Sequence, residues 1–117
     1  MEANEYQSLC WQTAAPFYKA EVDVESHQLL QLCTMTLALC GEAGELGNKL
    51  KKFIECGNGI DHNAREILTD ELGDVAWYIA GVAKLLGISL EDVLRLNISK
   101  LRKRYPDGFT DRIGLRR

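Results

Sequence analysis

Proline and strand-forming runs are what this chain has least of. Only Pro16 and Pro106 occur in 117 residues, and β-branched residues never gather into a run of strand length. A sheet-based fold is thereby excluded, and helical periodicity is left to organise the chain. Histidine is nearly as scarce. His27 and His62 are the only two, and neither follows an acid by three residues, so the Glu-x-x-His pairs of a di-iron carboxylate bundle are missing. The four cysteines (Cys10, Cys33, Cys40, Cys56) form no C-x-x-C motif. That argues against zinc and a disulfide framework, and for free thiols in a reducing cytosol. The longest apolar stretch, Leu29 to Cys40, is too short to span a bilayer and is interrupted by Gln31, Thr34 and Thr36. The acidic start, MEANEYQ, lacks a basic-then-apolar signal pattern, so a cytoplasmic protein without membrane contact is expected. Neither a Walker loop nor a kinase signature occurs.

What is present fits one domain, residues 1–117, with a real but modest core. Hydrophobic content of 46% with 26% charged residues is that of an ordinary globular chain. The net charge of −3 is unevenly spread: Lys100 to Arg117 carries seven basic and two acidic residues. Part of that basic segment lies at a helix C-terminus, where cations favour the macrodipole, so nucleic acid is not an expected partner.

Periodicity predicts an all-α, four-helix-type bundle. A first helix covers about Asn4 to Lys19, with Pro16 ending or kinking it. After the linker EVDVES, Ser26 is placed to cap a second helix from about His27 to Glu55. Its residues Leu29, Leu32, Thr36, Leu39, Ala43, Leu46, Leu50 and Phe53 alternate steps of three and four, a seam suited to coiled-coil-like packing. A second stripe beside it holds Met35, Ala38, Glu42, Glu45, Lys49 and Lys52. Gly41, Gly44 and Gly47 surround these acids and serve either close helix packing or room for a ligand. A third helix runs from about Asn63 to Leu86, capped by Asp61 and stopped by Gly87. It is apolar on every side from Val75 to Ala83, which predicts burial in a subunit interface and hence a homo-oligomer. Ser89 caps a fourth helix that reaches about Arg104.

The chemistry is carried by two acidic pairs, Glu42 with Glu45 and Glu71 with Asp74. Each pair is spaced i, i+3, on one helix face, and embedded in apolar sequence. The two are symmetric about residue 58, the middle of the turn-like Cys56-Gly57-Asn58-Gly59. A reversal there brings all four carboxylates to one height, ~20 Å from the turn at about 1.5 Å rise per residue. Like charges ~5 Å apart repel by about 3 kcal/mol at an effective dielectric near 20. Either some of these acids protonate or a divalent ion neutralises them. Oxygen-only ligands favour Mg²⁺, with Mn²⁺ as a substitute. Asn97, Lys100 and Arg104 share a face of the fourth helix that either holds an anion such as a polyphosphate or is solvated. Lys49 and Lys52 follow the acids, Lys49 at i+4 from Glu45 as in a surface ion pair. Tyr78, i+4 from Asp74, is either a stacking platform for a base or a core aromatic. An acidic Mg²⁺ site beside basic residues is a general design for cleaving phosphoanhydrides.

The segments GEAGEL, DELGDVAWY and NISKLRKRYPDGF resemble the MazG-like nucleoside triphosphate pyrophosphohydrolases of the all-α NTP pyrophosphatase superfamily. The family pattern is E-x-x-E, a spacer, then E-x-x-D; 25 residues separate Glu45 from Glu71 here. The resemblance spans about residues 27–110. It implies hydrolysis of a (deoxy)nucleoside triphosphate to monophosphate and pyrophosphate, with Mg²⁺ on Glu42, Glu45, Glu71 and Asp74. It also implies Asn97 and Lys100 near the phosphates, Tyr78 near the base, and a dimer or tetramer with sites near subunit interfaces. Asp70 departs from a glutamate common in relatives but leaves the four-acid pattern intact. Pool sanitation is the expected role. A dUTPase-like or dCTPase-like enzyme and a phosphoribosyl-ATP pyrophosphohydrolase are alternatives within the superfamily. The rival from another class is a non-catalytic helical interaction module, its acids salt-bridged to Lys49, Lys52 or Arg104. Trp11 or Phe17, from the N-terminal region, is expected to close over the substrate.

Overall fold

The computed structural model describes residues 1–21, 25–57 and 59–108. These form five helices and no strand: α1 (Ala3–Gln12), α2 (Pro16–Lys19), α3 (Glu25–Glu55), α4 (His62–Leu85) and α5 (Leu90–Arg104). The all-α expectation holds. Asn58, residues 22–24 of the linker and the basic segment beyond residue 108 lie outside the described residues.

The long helices α3 and α4 pack as an antiparallel hairpin. Met35 lies against the backbone of Gly81 at one end, and Lys49 meets Glu71 nearer the turn. Met35 and Gly81 are equidistant from residue 58, so the register read from the acid spacing is the one adopted. Gly57 and Gly59 carry the turn with φ of +71° and +65°, values that disfavour any side chain with a Cβ. Asp61 then opens α4, its carboxylate accepting from the Ala64 amide at 2.8 Å. The end of α4 is a Schellman closure around Gly87: Ile88 N–H donates to Ala83 C=O and Gly87 N–H to Lys84 C=O. Ser89 caps α5 by accepting from Asp92 N–H at 3.1 Å.

The N-terminal helix differs from expectation. One helix over 4–19 is replaced by α1 and the single turn α2, broken at Thr13–Ala15. Proline disfavours helical geometry in the residue before it, and Ala15 accordingly sits at ψ 149° while Pro16 starts α2. Ser26 does not cap α3 either; the helix already includes Glu25, placing Ser26 inside its first turn.

The stripe of α3 that meets α4 contains Met35, Glu42 and Lys49, as the facing of the acidic pairs requires, whereas Leu29 and Leu50 of the adjacent apolar seam are exposed within one chain. The side chain of α3 most deeply buried is Met35, with no accessible surface. Nothing closes on Gly41, Gly44 or Gly47, so within one chain these glycines are not packing contacts. Gly81 is one: a Cβ there would overlap Met35 Sδ and come within 3.1 Å of its Cε. Gly81→Ala is therefore expected to destabilise the protein by about 1–3 kcal/mol, read as a lower denaturant midpoint with unchanged slope.

Polar side chains fasten α1 to the rest. Gln7 is buried and its amide donates to Ala80 C=O (3.3 Å) and Ile88 C=O (3.1 Å), while its carbonyl accepts from Leu90 N–H (3.0 Å). Asn4 accepts from Glu91 N–H at 3.0 Å. Around these bonds Cys10, Ala80 and Leu90 form the core, with Ala3, Tyr6 and Trp77 packed on it. Trp77 Nε1 donates to Thr13 Oγ1 at 2.8 Å, and Gln31 ties α2 to α3 by donating to Phe17 C=O at 2.8 Å.

The single chain is nonetheless extended. Its radius of gyration is 17.7 Å, against about 13 Å for a compact chain of this length. Large apolar side chains stay in the open, among them Leu37 (71% exposed) and Ile54 (68%).

Candidate metal centre

Three carboxylates converge where α3 crosses the middle of α4. Glu71 and Asp74 share a face of α4 by their i, i+3 spacing, and Glu42 reaches them from the opposing helix. Ligand oxygens of Glu42, Glu71 and Asp74 all lie within 4.8 Å of one another. The depths differ: Glu71 is buried, Glu42 half-buried and Asp74 exposed. The trio makes an acidic bowl in the sense that Glu71 is its buried floor and Asp74 its exposed rim.

Glu45 is not in the bowl. One turn beyond Glu42, it is exposed, yet its negative charge still acts on Glu42 and Lys49. A helix faces its partner only along a narrow stripe, and here that stripe runs i, i+7 through Glu42 and Lys49 and leaves Glu45 beside it. Lys49 consequently pairs with Glu71 across the helix interface, rather than with Glu45 on its own helix. Its ammonium is held above the ordinary lysine range first by the hydrogen bond to Glu71. Partial burial opposes this, while the charges of Glu71, Glu45 and Asp70 add to it.

The carboxyl of Glu42 titrates above the ordinary carboxylate range. Desolvation is the largest cause, followed by the negative charges of Asp74, Glu71 and Glu45; Lys49 offsets part of the effect. One lysine does not neutralise this group of acids.

Two tyrosine phenols feel the charges of these acids. Tyr78 is half-buried, its phenol raised by burial and then by the charges of Glu42, Tyr18 and Asp74. Its ring meets Trp77 edge-on at 4.9 Å. Tyr6 of α1 is pushed up to about 12 by burial, by its bond to Cys10 and by the charges of Cys10 and Asp74. Tyr6 and Tyr18 were missed in the sequence, because nothing in local spacing ties α1 and α2 to Asp74 and Tyr78 on α4, more than 50 residues away. The one available signal was the inner stripe Ala3, Tyr6, Gln7, Cys10 of α1. Of the expected lid residues, Trp11 lines a hollow with Gln7, Lys19 and Lys84, and Phe17 an apolar one with His27, Leu30 and Gln31.

The Tyr6 shift has a measurable consequence. A phenol whose pKa is raised from 10.0 to about 12 stabilises the fold below pH 10, and that contribution is lost as pH rises toward 12. Tyr6→Phe should remove the highest-pH step from a spectrophotometric tyrosinate titration and flatten the fall in stability across that window.

Residues of α5 are not brought to the acids within one chain. Asn97, Lys100 and Arg104 are exposed on a helix whose main contacts are with α1 and α4. Lys52, in the last turn of α3, is also exposed and joins no ion pair among the described residues.

The donor set suits a hard divalent ion. It contains carboxylate oxygens and no histidine or thiolate, and an ammonium already seated on Glu71 shows that the bowl attracts cations. Residues 31–109 match the model of the MazG nucleotide pyrophosphohydrolase domain. The chain belongs to this family. MazG proteins generally use divalent metals, in keeping with the acidic trio. This MazG domain is 38% identical over 109 residues to Gene 37 protein of Mycobacterium phage L5, covering 92% of both chains. It is 34% identical over 73 residues to the uncharacterized protein YvdC of Bacillus subtilis (strain 168), covering 57% of this chain and 69% of that one. No solved structure matches it significantly. No described helix is long and apolar enough to cross a membrane.

Proposed function

We propose that this MazG domain hydrolyses (deoxy)nucleoside triphosphates to monophosphate and pyrophosphate in a Mg²⁺-dependent reaction, in the cytoplasm and as a homo-oligomer that sanitises the nucleotide pool. The observation that carries the reading is the convergence of Glu42, Glu71 and Asp74 within 4.8 Å, on the acids of the family motif. When bound there, Mg²⁺ would supply charge neutralisation for the triphosphate and acidify a water.

The chain's own residues have definable parts. Glu42, Glu71 and Asp74 hold the ion, and Glu45 at the rim completes the set or orients a water. The Tyr78 phenol stays protonated at neutral pH and offers the incoming nucleotide a donor and a ring edge. Lys49 and Lys52, both on α3, are the chain's own cations available to the triphosphate from that helix. Asn97, Lys100 and Arg104 reach phosphate only if α5 of a neighbouring copy approaches the bowl. The extended shape and the exposed Leu37, Ile54, Leu29 and Leu72 support such an assembly.

The second reading, a non-catalytic helical module, is favoured by one observation, the Lys49–Glu71 ion pair. Calorimetric titration with nucleoside triphosphates made uncleavable by an α,β-imido bridge separates the two. Saturable binding in Mg²⁺ and none in its absence supports the enzyme. A chain that binds no triphosphate, but changes oligomeric mass when its acids become amides, is the module.

A further inference from the structure

We propose that Lys49 is the resident counter-ion of the acidic bowl and must leave Glu71 before a divalent cation can be seated there. Ion loading and the release of one lysine ammonium would then be a single event. The inference rests on the reading that these acids hold a metal ion.

Glu71 is the buried member of the trio, at 6% exposure, and the Lys49 ammonium sits on its Oε1. An ammonium and a divalent ion on the same carboxylate would lie within a few ångströms of each other, and two cations that close repel strongly in a partly desolvated site. Lys49 can move. Its side chain is 38% exposed, and its four-carbon stem carries the ammonium from a helix backbone that need not shift. It also has somewhere to go: Glu45 lies at i−4 on the same helix, the spacing at which a glutamate and a lysine pair on a helix surface. The displaced ammonium thus stays at the rim of the bowl, where an arriving polyanion would meet it.

Magnesium alone is the probe, titrated calorimetrically into the full chain and into Lys49→Gln and Lys49→Arg. Removing the competing charge should tighten Mg²⁺ binding by about fivefold in Lys49→Gln, the equivalent of a modest ion pair. Lys49→Arg should stay near wild type because it keeps the charge. Without metal, Lys49→Gln should melt below wild type, and saturating Mg²⁺ should erase that difference. Equal or weaker Mg²⁺ affinity in Lys49→Gln overturns the counter-ion role while leaving the metal site standing. Absence of Mg²⁺ binding from all three chains overturns both.

Discussion

Replacing Glu71 by glutamine is expected to lower turnover by at least about a hundredfold while leaving helicity and assembly unchanged. Glu71 is the one acid of the bowl that is buried, and it touches both its α4 neighbour's face and the α3 side through Lys49. The amide keeps the shape but carries no charge, and half of it presents N–H where an oxygen must face a cation. Steady-state kinetics and circular dichroism on the same preparation check this. Retained turnover within about threefold would remove Glu71 from the metal centre. From the sequence, the same substitution should also raise the metal-free melting temperature, by deleting a repelling charge. The ion pair changes that expectation: Glu71 already has a cation, and its removal strands Lys49. Relief is expected instead in Glu42→Gln, because Glu42 is the carboxyl whose charge its neighbours disfavour.

Gln7→Ala should cost about 3 kcal/mol of stability and lower the melting temperature by about 10 °C. Three hydrogen bonds end on this one amide, and they join α1 to α4 and to the start of α5. Leu90 N–H loses its acceptor at the first turn of α5, in a part of the molecule with little water. The consequence reaches the bowl, because α1 also carries Tyr6, whose phenol feels Asp74. Loosening α1 should therefore lower the Tyr6 titration toward the ordinary tyrosine range as well as lowering stability. A denaturation midpoint indistinguishable from wild type would mean that α1 docks through apolar contacts alone.

The sequence was informative where function follows helical periodicity. Spacing on α3 and α4, together with a glycine-flanked turn, was enough to place Glu42 opposite Glu71 and Asp74. Capping by Asp61 and Ser89 was equally local and equally readable. Three features were not. The apolar seam of α3 does not say which neighbour covers it; within one chain α4 meets the adjacent ionic stripe, as the acid spacing requires, and Leu29 and Leu50 of the seam stay exposed. Lys49 had acids within reach on both helices, and only the tertiary register shows that it goes to Glu71. Tyr6 and Tyr18 depend on where α1 and α2 dock, a long-range arrangement set by Gln7, Gln31 and Trp77 that no periodicity encodes. The placement of Asn97, Lys100 and Arg104 belongs to the same class, since all three are exposed on α5 within one chain.

Product analysis tests the central claim most directly. The full chain is incubated with a panel of nucleoside and deoxynucleoside triphosphates, with and without Mg²⁺, and the products are separated by ion-exchange chromatography. The account predicts monophosphate and pyrophosphate in equal amounts, only when Mg²⁺ is present, with the base preference read from the same chromatograms. Diphosphate with inorganic phosphate, or no product across the panel, would contradict it.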